Sequence, residues 1–380
     1  MEFEEFLKSE LEKIKNLNRY RKRFILPQNV VDFSSNDYLG LKDEQTTKEK
    51  ICQKIDDLSL GSGGSALISG YKQIQKDLEK FLSDFKETEN CLVVGSGYLA
   101  NTGLIPAITT EKDIIFSDEF NHASIIDGIR LSKAKKVIYK HCDINDLKQK
   151  IKQNRTDGNI FIITDGVFSM EGDIAPIDEI YKVAEEVNGI LIIDDAHSTG
   201  ILGEGKGTIF HFELKPNKRI IQMGTLSKAV GSYGAFICGT NLLIDFLINK
   251  MRTGIFSTAL STIQNFISLE NLKLLKEEPF RRKYVLEAAE FIANELNEFG
   301  YKINFHGTPI LTLVLGDEKR TLRFRDKLLK EGIFIQAIRP PTVPEGKSRL
   351  RITISFTHSE KDIILLLNSL KKLTKEVWNG

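Results

Sequence analysis

Three things are scarce in this chain of 380 residues, and each scarcity excludes something. Net charge is the first. Lys and Arg number 53 against 52 Asp and Glu, a formal charge of +1, so nothing in the overall balance calls for nucleic acid or an anionic membrane as partner. Cysteine is the second: Cys52, Cys91, Cys142 and Cys238 are far apart, with no C-x-x-C pair and no histidine at zinc-ligand spacing. Neither a disulfide framework nor a metal site is expected; buried thiols in a reducing compartment are the simpler reading. Long apolar runs are the third. No stretch approaches the roughly 18 residues of a membrane span, and residues 1–15 are charged and amphipathic, unlike a signal segment. The expected location is cytoplasmic.

What is present has the texture of a globular protein, with 41% hydrophobic and 28% charged residues. The length exceeds one ordinary core and predicts a large and a small domain. The first 25 or so residues read as a helix ending in the basic cluster Arg19, Arg21, Lys22, Arg23, followed by an extended stretch, Val30 to Leu39. From about residue 75, short apolar runs alternate with helix-like segments. The runs are Cys91–Val94, Ile114–Phe116, Val137–Tyr139, Ile160–Thr164, Ile190–Ile193, Ile220–Met223 and Ala235–Cys238. Runs this continuous, separated by helices, predict an α/β domain with a mostly parallel seven-stranded sheet covered on both faces. After about 270 the pattern changes to a long helix near Pro279–Phe299 and scattered strands, Ile310–Leu315, Phe334–Ile338 and Leu350–Ile354, which predicts a smaller α+β domain. The expected division is an N-terminal arm over 1–45, a large domain over 46–270 and a small one over 271–380.

In a sheet of this kind ligands sit beyond the carboxyl ends of the strands, and chemically capable residues fall there. The fifth run stops at Asp194-Asp195-Ala196-His197, the fourth at Thr164-Asp165 and continues to Ser169, and the sixth leads to Thr225-Leu226-Ser227-Lys228. The second ends at Asp118, just before Asn121-His122. A lysine among glycines near a strand end is a candidate imine former, although a solvated loop lysine is the commoner fate. Asp194 ends a buried strand, where a carboxylate needs a cationic partner; a protonated pyridine nitrogen would serve, and so would a structural arginine or a helix cap. His122 and His197 each follow a strand end, where a core imidazole with satisfied hydrogen bonds is the plainer reading. Ser96-Gly97-Tyr98 joins a strand to a helix whose first N–H groups can bind an anion such as phosphate.

A rival reading starts from the same turn. Gly95-Ser96-Gly97-Tyr98-Leu99-Ala100 fits G-x-G-x-x-A after a strand, with Asp118 about 20 residues on, as a dinucleotide-binding unit requires. Against it, a helix precedes the strand, and Asp194, His197 and Lys228 are left without a role. The related string Gly61-Ser62-Gly63-Gly64-Ser65-Ala66 has no convincing strand before it.

Six separated blocks in order carry a family resemblance over nearly the whole chain. They are Ser34-Ser35-Asn36-Asp37-Tyr38-Leu39-Gly40, Gly61-Ser62-Gly63-Gly64-Ser65, Asn121-His122-Ala123-Ser124, Gly166-Val167-Phe168-Ser169-Met170, Asp194-Asp195-Ala196-His197 and Thr225-Leu226-Ser227-Lys228. Together they resemble the α-oxoamine synthases, fold-type-I pyridoxal 5'-phosphate enzymes that condense an amino acid with an acyl thioester. The resemblance implies that Lys228 holds the cofactor as an imine and later acts as base, that Asp194 pairs with the pyridine nitrogen, and that His122 stacks on the ring. It implies that His197 and Ser169 hold the phenolic oxygen, and that Ser96, Gly97, Tyr98 and Thr225 cradle the phosphate. Ser257 and Thr258 resemble phosphate contacts donated by a second subunit, which implies a homodimer with shared sites.

Within that family, Ile338-Arg339-Pro340-Pro341-Thr342-Val343-Pro344 resembles the member that joins L-alanine to a pimeloyl thioester in biotin synthesis more than the glycine-using members. The thiol would be coenzyme A or an acyl carrier protein. On the same ground Arg349 matches the residue that grips the amino-acid carboxylate, Asn36 and Thr342 would line the substrate region, and Arg21 matches a basic position facing the acyl substrate. One departure is Leu67, where family members often carry a polar residue. A nicotinamide-dinucleotide-binding or non-catalytic protein is the more distant alternative.

Overall fold

The computed structural model of the chain describes residues 2–154 and 156–377. Its contacts divide these into two compact units, the larger built from Leu39–Ser169 and Asp173–Arg282, the smaller from the described parts of 1–38, 170–172 and 283–380.

Strands are numbered along the chain. β1 (Val31–Asp32) belongs to the smaller unit. β2 (Asn90–Val94), β3 (Ile114–Asp118), β4 (Lys135–Tyr139), β5 (Ile160–Asp165), β6 (Ile190–Asp194), β7 (Ile220–Thr225) and β8 (Ala235–Gly239) belong to the larger. These seven form one sheet in the order β2-β8-β7-β6-β5-β3-β4. All seven apolar runs of the sequence are therefore strands of it. β3 to β7 run parallel, and β8 is antiparallel to both of its neighbours, β7 and β2.

Alternation along the strands feeds two separate cores. Ile115, Phe161, Ile163, Ile192 and Ile221 point into one; Ile114, Phe116, Ile162, Leu191, Ile193 and Ile220 point into the other. A sheet buried on both faces needs such unbroken Ile/Val/Leu runs, because every side chain meets a covering helix. Two of the helices that follow strand ends are capped by side chains that bear on the site. Ser96 Oγ accepts from Leu99 N–H at the start of Gly97–Ile108, and His122 Nδ1 accepts from Ser124 N–H at the start of Ala123–Leu131. Each cap fixes where a strand hands over to a helix and so fixes the rim above the sheet.

The order of the sheet removes the dinucleotide reading. A dinucleotide-binding β-α-β unit places its two strands side by side and parallel, whereas β2 and β3 are separated by four strands. Asp118 is also committed locally, accepting from Phe120 N–H at 2.9 Å and Cys142 N–H at 2.8 Å. The second glycine string, Gly61 to Ala66, follows a helix, Gln45–Lys54, and a short helical turn, Ile55–Asp57, rather than a strand.

In the smaller unit the expected N-terminal helix is shorter than 25 residues, running Phe3–Asn16 and leaving Arg19 to Arg23 outside any helix or strand. β1 pairs in parallel with β10 (Ile333–Phe334), and β9 (Ile310–Gly316), β11 (Ala337–Ile338) and β12 (Ser348–Thr353) form an antiparallel sheet with β12 in the middle. The stretch Phe334–Ile338, expected as one strand, is thus divided between two sheets. Its core gathers Val285, Ile292 and Leu296 of helix Pro279–Glu298 with Leu311, Leu350, Ile352 and Leu366. Among the described residues no helix is long and apolar enough to cross a membrane.

Candidate active site

β5, β6 and β7 lie side by side, so their carboxyl ends collect three chain segments far apart in sequence. In parallel register Asp165 is the partner of Asp194, and both carboxylates are buried, each about 4% exposed. Asp194 Oδ2 accepts from Asn101 Nδ2 at 2.7 Å and Oδ1 from Ala196 N–H at 2.9 Å. Asp165 Oδ2 accepts from His122 N–H at 2.6 Å. Burial pushes the Asp194 carboxyl above its usual pKa, opposed first by the positive charge of Lys228 and then by the Asn101 hydrogen bond. Asp165 is raised well above its usual value by burial and by the neighbouring charge of Asp194. Two acids thus share one desolvated place with neutral donors and the field of a single lysine.

That lysine is Lys228. It follows β7 in a loop shaped by Gly231 (φ 64°) and Gly234 (φ 119°), both left-handed backbone that favours glycine. Its Nζ lies 2.9 Å from Nε2 of buried His197. His122 completes the cluster. Its Nδ1 is 2.8 Å from Ser124 Oγ, which also accepts from Asn101 Nδ2 at 2.9 Å. One asparagine therefore ties the imidazole and the Asp194 carboxylate into a single framework. Partial desolvation holds His122 below its usual pKa, with Lys228 adding to the shift and Asp194 opposing it.

The remaining cofactor candidates divide into two sets. Ser96 caps helix Gly97–Ile108 and takes up the Leu99 N–H, so the Gly97 and Tyr98 N–H groups are the first-turn donors left for an anion. The Tyr98 side chain itself turns outward to Asp127, 2.5 Å from its hydroxyl. Thr225 is buried, its hydroxyl donating to Gly234 O at 2.9 Å and 2.8 Å from Ser227 Oγ. Ser169 is half-buried in the segment after β5. Ser257 and Thr258 stand apart. They line a shallow depression with Ser65, Leu67 and Ile68, bordered by exposed Phe256 and Ile68 (71% and 83%).

The four substrate candidates lie in the smaller unit. Arg349 on β12 is buried, and its Nη1 contacts Glu171 Oε1 at 2.7 Å and Met170 O at 3.1 Å, with Nε on Lys347 O at 3.0 Å. Asn36 Oδ1 accepts from Tyr38 at 3.2 Å. Arg21 and Thr342 line one cavity of about 750 Å³, and Arg21 donates to Pro340 O at 3.2 Å.

Sequence reasoning did not single out Asn101, Ser124 or Asp165 as site residues. Ser124 belongs to the string Asn121-His122-Ala123-Ser124, and the strand-end rule that points to Asp194 applies equally to Asp165. Asn101, four residues into the helix from Gly97, carried no signal of its own.

Two other ionic groups of the larger unit are closed. Lys86 Nζ and Asp195 Oδ2 meet at 3.1 Å with both side chains 0% exposed. His141 lies between Asp118 (3.0 Å) and Asp173 (2.8 Å). Burial opposes its charge, but those two hydrogen bonds raise its pKa to about 12. Asp118, His141 and Cys142 hold donor atoms within 4.8 Å of one another, and the imidazole is already spent on the two carboxylates.

Comparison with known proteins gives a consistent picture. The family model for aminotransferase class I and II matches residues 28–370. A relative from Lysinibacillus sphaericus named 8-amino-7-oxononanoate synthase is 45% identical over 94% of this chain and 90% of its own length. A crystal structure of 8-amino-7-oxononanoate synthase from Francisella tularensis is 29% identical with a TM-score of 0.80, covering 93% of this chain and all of that one. A serine palmitoyltransferase from S. paucimobilis, solved with bound PLP and myriocin, has a TM-score of 0.91 over 99% of this chain and 98% of its own at 23% identity, which speaks to the fold.

Proposed function

The chain belongs to the aminotransferase class I and II family, and from that premise we propose that it makes 8-amino-7-oxononanoate from L-alanine and a pimeloyl thioester, with release of CO₂ and the thiol. Pyridoxal 5'-phosphate is the cofactor. The observation that carries this is the meeting of Lys228 with two buried acids, Asp165 and Asp194, at adjoining strand ends. Two acids and one lysine leave the site short of positive charge, and a protonated pyridine nitrogen fits that deficit.

When bound, the cofactor supplies an electron sink for negative charge formed at the α-carbon of the amino acid. The protein groups do the rest. Lys228 would hold the cofactor through Nζ and would serve as the base for the α proton of the amino acid; His197 at 2.9 Å orients that amine. Asp194, its carboxylate fixed in direction by Asn101 and Ala196 N–H, would hold the proton on the pyridine nitrogen. His122, with Nδ1 tied to Ser124, offers its ring as a flat wall. The N–H groups of Gly97 and Tyr98, with Thr225 and Ser96, would take the phosphate, and Ser169 and His197 would take the phenolic oxygen.

Arg349 grips the alanine carboxylate through two parallel bonds. Its contact with Glu171 is one the substrate must compete with. Asn36, Thr342 and Arg21 contribute to the substrate region. Ser257 and Thr258, bordered by exposed Phe256 and Ile68, serve the site of a second copy, so the working unit is a homodimer. Leu67 lies in the same depression and gives that wall an apolar character.

The test is to offer alanine, glycine and serine with several acyl thioesters, on coenzyme A and on an acyl carrier protein, and to follow thiol release. Alanine with the pimeloyl group is expected to be fastest. Preference for glycine with a short acyl group would instead assign the chain to the glycine-using members.

A further inference from the structure

The cavity of about 750 Å³ in the smaller unit has a composition that the reaction core does not explain. Cations line it: Lys15, Arg21, Lys22, Arg23, Arg325 and Arg339, against one acid, Asp326. Asp326 is already spent, since Arg325 donates to it through Nε (2.8 Å) and Nη2 (2.6 Å). Arg339 is the unusual member. It is only 6% exposed, its Nη1 donates to Asn18 O at 2.5 Å, and its Nε is buried with no hydrogen-bond partner. Burial lowers its pKa, and the charges of Arg21 and Arg325 lower it further, opposed only in part by Glu318, which is itself paired with Arg19. A desolvated guanidinium crowded by like charges and short of an acceptor requires an anion.

The rest of the wall says which kind. Leu322, Leu329 and Ile338 also line the cavity, so an apolar surface adjoins the guanidinium groups. A phosphate-bearing carrier would call for donors throughout. A methylene chain ending in a carboxylate matches both halves: the chain lies on the leucines, and the carboxylate takes the planar fork of an arginine.

We propose that this cavity holds the far end of a dicarboxylic acyl group, and that Arg339 is the specificity-determining residue that reads its free terminal carboxylate. The proposal rests on the pimeloyl reading above and deepens it.

Two measurements on the cofactor-loaded full chain test this. In calorimetry, heptanedioate is expected to bind and heptanoate and inorganic pyrophosphate to bind at least tenfold more weakly, with heptanedioate binding lost in Arg339→Gln. In kinetics on one carrier, kcat/KM for the pimeloyl thioester is expected to exceed that for its ω-methyl ester and for the heptanoyl thioester by roughly 30-fold or more, because a site built for a polar group rejects analogues lacking it. Arg339→Gln should collapse that ratio to below about 3-fold. Arg339→Lys, the milder change should the first variant lose its fold on melting, should lower kcat/KM about tenfold for the free acid alone.

Equal losses on all three thioesters would overturn the proposal, as would pyrophosphate displacing heptanedioate and binding more tightly. A wild-type enzyme that uses the methyl ester as well as the acid would sink this inference while the proposed reaction stands. A wild type that binds heptanedioate through Arg339 but turns over no pimeloyl thioester would sink the proposed reaction and leave the site.

Discussion

Asp194 and Asp195 are neighbours in sequence and both buried, yet they sit in opposite electrostatic circumstances. Asp195 is closed. Lys86 reaches it at 3.1 Å, Ser198 Oγ donates at 2.5 Å, Thr208 donates through N–H at 3.1 Å and through its hydroxyl, and Lys86 in turn donates to Lys206 O. Even the backbone makes room. Gly207 has φ 112°, and a Cβ there would fall within 2.2 Å of Asp195 Oδ2 and 2.7 Å of Lys86 Nζ. Asp194 has two neutral donors, a second buried acid beside it and the charge of Lys228. The closed pair is finished as folded and serves stability. The open pair of acids is finished only when something positive is added.

The sharpest way to break this comparison is to remove the amine on the open side. Lys228→Ala is expected to lower kcat by on the order of 10⁴-fold or more, since carrier and base are lost together, while its urea midpoint stays near that of wild type. Steady-state thiol release and urea denaturation on the same preparation check both halves. Asp194→Asn keeps the shape and removes the charge; kcat is expected to fall about 10³-fold, the scale of losing one preorganised electrostatic contact, with weaker cofactor retention on dialysis.

The same chemistry on the closed side should do the reverse. Lys86→Met leaves Asp195 buried and unpaired, at a cost of about 3 kcal/mol in unfolding free energy, while kcat per folded molecule changes little. A loss of turnover without a loss of stability would erase the distinction.

A smaller, pH-dependent effect sharpens it. The folded pKa values of Asp165 and Asp194 are raised, so their contribution is fully present below the unfolded value near pH 4 and is lost as pH rises through the folded values. Asp165→Asn removes one such group. In cofactor-free protein the variant should therefore gain on wild type as pH rises above the unfolded carboxylate value near 4, with a slope that is a fraction of ~1.4 kcal/mol per pH unit. Loading the cofactor should flatten that difference. A flat difference in both forms would contradict the shared deficit of charge.

Much of this was legible in the sequence, and the division follows a physical line. Strand runs such as Ile190–Ile193 announce themselves because burial on both faces leaves no choice of residue, and Asp194 and Lys228 stand at predictable distances after them. Sheet order is set by packing between distant segments. The partnership of Asp165 with Asp194, the bridge from Asn101 to Ser124, and the meeting of Lys86 with Asp195 across 109 residues all depend on it. The rival built on Gly95 and Asp118 failed for the same reason: its spacing was right, and only strand order showed that β2 and β3 are not neighbours. The N-terminal helix stops at Asn16, short of the 25 or so residues expected, because the basic run from Arg19 to Arg23 continues a helical composition without being helical. In the fold, part of it turns to contacts such as Arg19 with Glu318 and Glu345.

The central claim is that the open acids are completed by a cofactor carried on Lys228. Reconstituting the protein with pyridoxal 5'-phosphate, reducing with borohydride and mapping peptides by mass spectrometry tests it most directly. A single phosphopyridoxyl group on the peptide containing Lys228, lost in Lys228→Ala and diminished in Asp194→Asn, is the predicted result. Modification spread over surface lysines, with Lys228 unlabelled, would contradict the account.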